Sequence, residues 1–121
     1  MKNKIFQSRV CVCAHLTQTR YAQKTCAEMW KNMQKNILCF GDSNTHGYNS
    51  KTGGRFDVNE RWTKLLQKNL GDDYYIIEEG LSGRTTSFED PVFEGLCGLN
   101  VIYPCMMSHE PLDLVIIMLG T

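Results

Sequence analysis

The chain has 121 residues, of which 42% are hydrophobic and 21% charged, and 13 basic residues balance 13 acidic ones. These values are ordinary for a single globular domain. A formal net charge of zero gives no support for a nucleic-acid partner, and no apolar stretch approaches the roughly 20 residues of a membrane-spanning helix.

The charge is distributed unevenly along the chain. Residues 1–35 contain seven Lys or Arg residues and one acid, Glu28, whereas residues 36–121 carry a net charge of −6. Residues 1–32 also lack a steady period of 2 or 3.6. We therefore predict that residues 1–32 are an extension without recognisable structure and that residues 33–121 are the domain.

Six cysteines raise the question of disulfide bonds or a metal site. Cys39 lies inside an apolar run, where a buried free thiol is common, and no clear signal peptide precedes it. These features favour a reducing, cytoplasmic compartment. Cys11, Cys13 and His15 are too few and too irregularly spaced to indicate a metal site. We predict neither a metal nor a cofactor.

From residue 33 onward the pattern becomes regular. Residues 37–40 are a short apolar run ended by Gly41, which predicts a buried strand. Residues 41–55 are rich in Gly, Asn, Ser and Thr, which predicts a loop with at most one helical turn. Residues 59–70 have apolar side chains at helical spacing, with Asn59 as a candidate cap and Gly71 as the stop. Trp62 and the leucines of this helix are predicted to be core residues.

The second half repeats this alternation. A strand is predicted from residue 74 to 77, continuing towards Gly80, followed by irregular chain to residue 96. A helix is predicted over residues 98–108, with Pro104 inside it, and a strand apolar on both faces over residues 114–119. Strands of this kind separated by helices indicate a parallel sheet covered on both sides. The predicted fold class is a three-layer α/β/α, flavodoxin-like domain.

Two segments that follow predicted strands could carry chemistry. Gly41-Asp42-Ser43-Asn44 comes directly after the first strand, where a parallel sheet gathers its reactive groups. A serine there can present its hydroxyl to a cleft or simply cap a helix. Residues 80–86 follow the second strand, and their glycines permit tight turns that aim backbone N–H groups at an oxyanion. An ordinary strand-to-helix connection is the alternative.

Taken together, three segments resemble the sequence blocks of the SGNH (GDSL-type) serine ester hydrolases. They are residues 37–45 (ILCFGDSNT), residues 78–86 (EEGLSGRTT) and residues 111–121 (PLDLVIIMLGT). Each lies at the end of a predicted strand, and the sequences of these segments are similar to those of the arylesterase and acyltransferase branch. The resemblance covers residues 34–121 and implies that the first strand lies between the other two.

The resemblance also implies roles for individual residues. Ser43 would be the nucleophile, and the backbone N–H groups of Ser43 and Gly83 would be oxyanion donors. Asp42, Asn44 and His46 would be neighbours of the substrate site. His46 stands where acyltransferase relatives have a Trp, which favours hydrolysis over acyl transfer.

Several parts of the family pattern have no counterpart here. The third donor, an Asn, and the Asp/His pair near the C-terminus of family members are not found, so we expect a domain truncated after its third strand and a chain inactive by itself. His15, His46 and His109 are interpreted as solvated or structural. Glu78 and Glu79 should point to opposite faces of their strand, and Arg84 is expected in a surface salt bridge.

The implied function is hydrolysis of small acyl or aryl esters through an acyl-serine intermediate. The ligand would be a small-molecule ester, without nucleic acid or membrane. Two alternatives stay open: an inactive fragment or ligand-binding module of the same fold, and a carbohydrate acetylesterase. The strand from Leu114 to Leu119, apolar and without a predicted partner on one edge, suggests self-association.

Overall fold

The computed structural model describes residues 33–120, of which residues 34–120 belong to one compact unit, Gln34–Thr121. The predicted extension, residues 1–32, lies outside the described residues. In chain order the elements are β1 (Lys35–Gly41), α1 (Ser43–His46), β2 (Tyr48–Asn49), β3 (Gly54–Arg55), α2 (Trp62–Leu70), β4 (Tyr74–Gly80), α3 (Gly98–Ser108) and β5 (Leu114–Met118). No helix within this range is long and apolar enough to cross a membrane.

Three parallel strands form the main sheet in the order β4-β1-β5. Lys35 of β1 is aligned with Tyr74 of β4, and Gly41 is aligned with both Gly80 and Met118, so all three strands end at the same edge. The predicted central position of the first strand is confirmed. From Ile37 onward β1 is buried, as its position between two partners requires.

Helix α2 covers one face of the sheet. Ile37, Cys39 and Ile76 form the buried cluster, and Trp62 and Leu66 of α2 pack against it. The prediction of core positions is confirmed for these two residues. It is wrong for two other leucines of the same helix, which lie at the surface: Leu65 and Leu70.

The start of α2 differs from the prediction. The helix begins at Trp62, and Arg61 occupies the cap position without a side-chain cap hydrogen bond. Asn59 does not cap it because the preceding residues form a separate turn, in which the Glu60 N–H donates to the Asp57 carbonyl at 3.0 Å. The predicted stop is confirmed: Gly71 has φ +77° and its N–H donates to the Gln67 carbonyl at 3.1 Å.

The opposite face of the sheet carries Leu38 and Phe40, which are fully buried. The polypeptide returns over this face as α3, whose bounds match the prediction, with Pro104 inside the helix. At its start the Gly98 N–H donates to the Thr85 carbonyl at 3.0 Å. A Cβ at Gly98 would lie 2.6 Å from that carbonyl oxygen, so the close approach requires glycine.

Two smaller features were not anticipated. Strands β2 and β3 form a short antiparallel pair inside the segment predicted as a loop. Two-residue strands are too short to produce a recognisable alternation in sequence. Strand β5 lies at an edge of the described sheet, as expected for a strand without a predicted partner on one side. Its exposure was not anticipated: Leu114 and Ile117 are 50% and 57% exposed, although the apolar run predicted a strand covered on both faces.

Candidate active site

Ser43 stands where the central strand gives way to a helical turn. It is the first residue of α1, two residues beyond the end of β1, and it is partly exposed. The turn is fixed by two backbone hydrogen bonds of 2.9 Å, from the His46 N–H to the Asp42 carbonyl and from the Gly47 N–H to the Ser43 carbonyl. The hydroxyl is thus presented from a defined backbone at the carboxyl edge of the sheet.

Asp42 holds this turn from within. Its side chain accepts a hydrogen bond from the Asn44 N–H at 3.0 Å, and only 4% of the residue is exposed. This is the geometry of a helix N-cap, in which a carboxylate satisfies a backbone donor of the first turn. Asp42 therefore supports the backbone of the turn that carries Ser43, whereas Asn44 is exposed to solvent.

The ends of the two neighbouring strands are hydrogen-bonded to the two residues that precede Ser43, one strand to each residue. The Asp42 N–H donates to the Met118 carbonyl of β5 at 3.3 Å, and the Leu81 N–H, just after β4, donates to the Gly41 carbonyl at 3.1 Å. Residues after β4 and at the end of β5 are thereby held beside Gly41 and Asp42, the two residues that precede Ser43. The three segments found in the sequence meet here.

Small residues make this meeting possible. A Cβ on Gly41 would lie 2.6 Å from the Met118 carbonyl oxygen. A Cβ on Gly80 would lie 2.6 Å from the His46 Cα and closer still to the His46 nitrogen. Strand β4 therefore packs directly on the backbone of α1 through Gly80. His46, predicted as a substrate-site neighbour, is partly buried at this contact.

The loop after β4 carries the second predicted oxyanion donor. Leu81 to Arg84 form a turn closed by a hydrogen bond of 3.1 Å from the Arg84 N–H to the Leu81 carbonyl. Gly83 has φ +82°, a conformation that favours glycine. Within residues 33–120, the N–H groups of Ser43 and Gly83 donate no hydrogen bond. This is compatible with the predicted role of both N–H groups as oxyanion donors.

Arg84 is turned inward, which differs from the predicted surface salt bridge. Its Nη1 donates to the Gly41 carbonyl at 3.0 Å and also to the Glu79 carbonyl. The guanidinium carbon lies 4.0 Å from the centre of the Phe40 ring. Burial lowers the pKa of Arg84, and the charge of the Glu79 carboxylate opposes that effect. The side chain joins the ends of β1 and β4 below the loop.

Glu78 and Glu79 point to opposite faces, as predicted. Glu78 lies on the α2 side, where Thr63 donates to its carboxylate at 2.5 Å and Lys64 Nζ lies 3.3 Å away. Burial raises the pKa of Glu78, but the Thr63 hydrogen bond and the charges of Lys64 and Arg61 outweigh it, so the pKa lies below its usual 4.5. Burial, with the Glu78 charge, raises the pKa of the Cys39 thiol to about 11.

Glu79 lies on the other face, against the end of α3. His109 Nε2 is 2.9 Å from Glu79 Oε1, and the Cys105 thiol is close to both. Burial, followed by the Glu79 charge, raises the pKa of Cys105, and Arg84 partly opposes this. Among residues 33–120, this group has the side chains and spacing to hold a metal ion. The sequence placed His109 near the start of the last strand and missed its pairing with Glu79.

A family profile matches residues 39–121, and its description is the GDSL-like lipase/acylhydrolase family. The chain belongs to this family. The match includes Ser43, the loop after β4 and β5, and it confirms the resemblance read from the three sequence blocks. A search among curated proteins returns no relative that matches the chain.

Solved structures of this family superpose on the described fold. The aryl esterase of M. smegmatis is 50% identical, with a TM-score of 0.68, and the match covers 71% of this chain and 42% of that one. A carbohydrate acetylesterase family member from Sinorhizobium meliloti is 43% identical, with a TM-score of 0.69, covering 72% and 41%. An SGNH-hydrolase family esterase is 31% identical, with a TM-score of 0.55, covering 72% and 40%. The chain therefore spans less than half the length of these GDSL-like neighbours.

Proposed function

We propose that this chain carries the nucleophile-bearing part of a serine esterase that hydrolyses small-molecule esters. The observation that supports this most directly is the setting of Ser43. It follows the central strand of a parallel sheet, and residues after β4 and at the end of β5 are hydrogen-bonded to the two residues before it. In sheets of this kind ligands bind at the carboxyl ends of the strands, where the strand order reverses.

In the proposed reaction, Ser43 Oγ attacks the ester carbonyl carbon while a general base takes the hydroxyl proton. The carbonyl oxygen becomes an oxyanion that accepts hydrogen bonds from the N–H groups of Ser43 and Gly83. Collapse of this intermediate breaks the ester bond, and the leaving alcohol or phenol takes the proton back from the base. Water then attacks the acyl-serine by the same route and releases the carboxylic acid.

The base and the third oxyanion donor have no match in these 121 residues. The reaction is therefore proposed for a protein in which this chain is joined to the remainder of the family domain. By itself the chain should turn over esters negligibly, because in a triad hydrolase the loss of the nucleophile or base costs on the order of a millionfold in turnover.

The favoured substrates are esters of small acyl groups, including aryl esters, since the aryl esterase of M. smegmatis is 50% identical. A second candidate, deacetylation of carbohydrates, is supported by the similarity to the acetylesterase family member from Sinorhizobium meliloti. An inactive, ligand-binding domain is the remaining alternative. Comparing a short-chain aryl ester with an acetylated sugar as substrates distinguishes these three.

The test uses a chimera in which the rest of the M. smegmatis aryl esterase completes residues 33–121. Ser43→Ala should abolish turnover without changing the circular dichroism spectrum, whereas Ser50→Ala, at an exposed serine seven residues later, should have no effect. Substantial esterase activity in a folded Ser43→Ala chimera would contradict the assignment. So would the absence of activity in a folded chimera with Ser43 intact.

The oxyanion role of Gly83 is tested by two substitutions in the same chimera. Gly83→Pro removes the N–H, and the loss of one such donor costs roughly 100- to 1000-fold in rate. Gly83→Ala is the matched control, because it also disfavours φ +82° but keeps the N–H. Equal rates in the two folded variants would rule out a donor at this position.

We also retain the predicted setting of the protein, a reducing compartment such as the cytoplasm with neither nucleic acid nor membrane as partner. The free thiols of Cys39, Cys97 and Cys105 within residues 33–120 support it. The test is peptide mapping by mass spectrometry, without reduction, of the protein purified from the cells that produce it. A disulfide at any of these three cysteines would contradict the predicted compartment.

A further inference from the structure

We propose that Glu79, Cys105 and His109 form a binding site for one divalent transition-metal ion of the zinc type. We name this group the β4–α3 site. It uses none of the residues proposed for ester hydrolysis. The ligand atoms of the three side chains, one carboxylate oxygen, one sulfur and one ring nitrogen, all lie within 4.8 Å of one another.

The backbone brings the three side chains together from two elements. Cys105 lies in α3 and His109 is the residue that ends this helix, so the two are four residues, or about one helical turn, apart. Glu79 comes from β4, on the face that α3 covers. The site would therefore join the end of a helix to a strand distant in sequence, as structural zinc sites do.

The spacing is close to what a tetrahedral ion requires. Zinc lies about 2.0 to 2.3 Å from nitrogen, oxygen and sulfur ligands, which places neighbouring ligand atoms about 3.3 to 3.7 Å apart. The 2.9 Å between His109 Nε2 and Glu79 Oε1 would widen by about half an ångström. The distances from the Cys105 sulfur to the other two ligand atoms, which are at most 4.8 Å, would shorten by up to about 1 Å. Rotation of side chains provides movements of this size.

The donor set selects the metal. A thiolate and an imidazole suit zinc and its neighbours, whereas magnesium and calcium prefer oxygen ligands alone. Glu79 and His109 each expose about a third of their side chains, 32% in both cases, so water can supply a fourth ligand. On binding, the Cys105 thiol loses its proton to the solvent and sulfur bonds to the ion. The Nε2 proton of His109, which bonds to Glu79 in the empty site, is replaced by the ion, and the neutral ring then carries its proton on Nδ1. The two negative charges of Glu79 and the thiolate then balance the charge of the cation.

Arg84 is a positive group close enough to interact electrostatically with Glu79 and Cys105, and it has partners of its own. Its guanidinium is held by two backbone carbonyls and the Phe40 ring, so it does not occupy the position of the cation. Without metal, the hydrogen bond between His109 and Glu79 satisfies both groups.

The test is a titration of the 121-residue chain with Zn²⁺ and Co²⁺. Cys11, Cys13 and Cys26 are first changed to Ser, so that these thiols cannot contribute. Zn²⁺ is titrated in competition with a chromophoric chelator, and Co²⁺ is followed by its thiolate charge-transfer and tetrahedral ligand-field bands. We expect one ion per chain, with a thiolate band that Cys105→Ser abolishes.

Matched variants identify the other two ligands. Glu79→Gln and His109→Ala should each weaken binding at least tenfold, because even the loss of a group supporting a ligand costs 10- to 100-fold. Glu94→Gln, at an exposed glutamate, should leave the affinity unchanged. Circular dichroism verifies that each variant folds. If His109→Ala does not fold, Cys105→Ser and Glu79→Gln, which conserve side-chain size, still test the site. A chain that binds no ion, or that binds equally in all variants, would overturn the proposal.

Discussion

Gly80 offers the most direct test of how the nucleophile's turn is packed. It is the last residue of β4, and a Cβ there would lie 2.6 Å from the His46 Cα and closer to the His46 nitrogen, both backbone atoms of α1. When an added Cβ lies less than 3.0 Å from another heavy atom that is not its chain neighbour, one of the two must move. Gly80→Ala should therefore force α1 away from β4 by roughly 1 Å, and Ser43 lies in the same helical turn.

The cost of this displacement can be placed on a scale. Overpacking a closely packed site typically costs about 1 to 3 kcal/mol, and the lower values apply where flexible side chains can yield. Here the opposing atoms belong to the backbone, so we expect about 3 kcal/mol. With a urea dependence of about 2 kcal/mol per molar for a small domain, the unfolding midpoint should fall by about 1.5 M.

The assay is urea unfolding of the chain, followed by tryptophan fluorescence and by circular dichroism to verify that the transitions coincide. Gly54→Ala is the matched control, because a Cβ there would meet only the Thr52 hydroxyl at 3.6 Å, an ordinary contact. Its midpoint should stay close to that of the unchanged chain. If the two variants unfold at the same urea concentration, β4 does not pack on α1 as described.

Three further predictions concern charge and exposure. Arg84→Met should lower the free energy of unfolding by about 2 kcal/mol, the value of hydrogen bonds to a charged donor, and Arg84→Lys by less, because it keeps the charge; equal losses would contradict the inward geometry. The folded-state pKa of Glu78 is lowered, so its stabilisation is present above pH 4.5 and is lost as the pH falls through the folded value. Unfolding free energies measured against pH should converge for the unchanged chain and Glu78→Gln in acid, and parallel curves would argue against this. Ile117→Lys, on the exposed side of β5, should shift the chain towards monomer in size-exclusion chromatography, whereas Tyr75→Lys on β4 should not. If the unchanged chain and both variants all elute as monomers, self-association through β5 is excluded.

Much of the fold follows from patterns in the sequence. The short apolar run at residues 37–40, ended by Gly41, was predicted as a buried strand, and the helix of Gly98–Ser108 was predicted with its observed bounds. These signals are strong because burial on both faces, or a glycine at a helix start, leaves few alternatives. Asn59 failed as a cap because the sequence does not reveal that a turn closed by Asp57 and Glu60 delays the helix.

The candidate site was predictable in its position and less so in its supporting contacts. A serine that follows a buried strand of a parallel sheet must lie at the carboxyl edge of that sheet, so the location of Ser43 follows from topology. The side chain of Arg84 does not obey such a rule. A long flexible side chain can reach solvent or fold back, and only the packing around Phe40 determines which occurs. The pairing of His109 with Glu79 likewise depends on how α3 lies on the sheet.

Arg84 shows how closely the proposed chemistry depends on the core. It is adjacent in sequence to Gly83, whose N–H is a proposed oxyanion donor, and it donates hydrogen bonds to the Gly41 and Glu79 carbonyls. Gly41 precedes the nucleophile's turn, and Glu79 precedes the loop that carries the donor. One half-buried cation therefore joins the strand that precedes Ser43 to the strand that precedes Gly83. Oxyanion donors are effective only when they are already in place before charge develops. An anchor bonded to both strands beside Gly83 helps to meet this requirement.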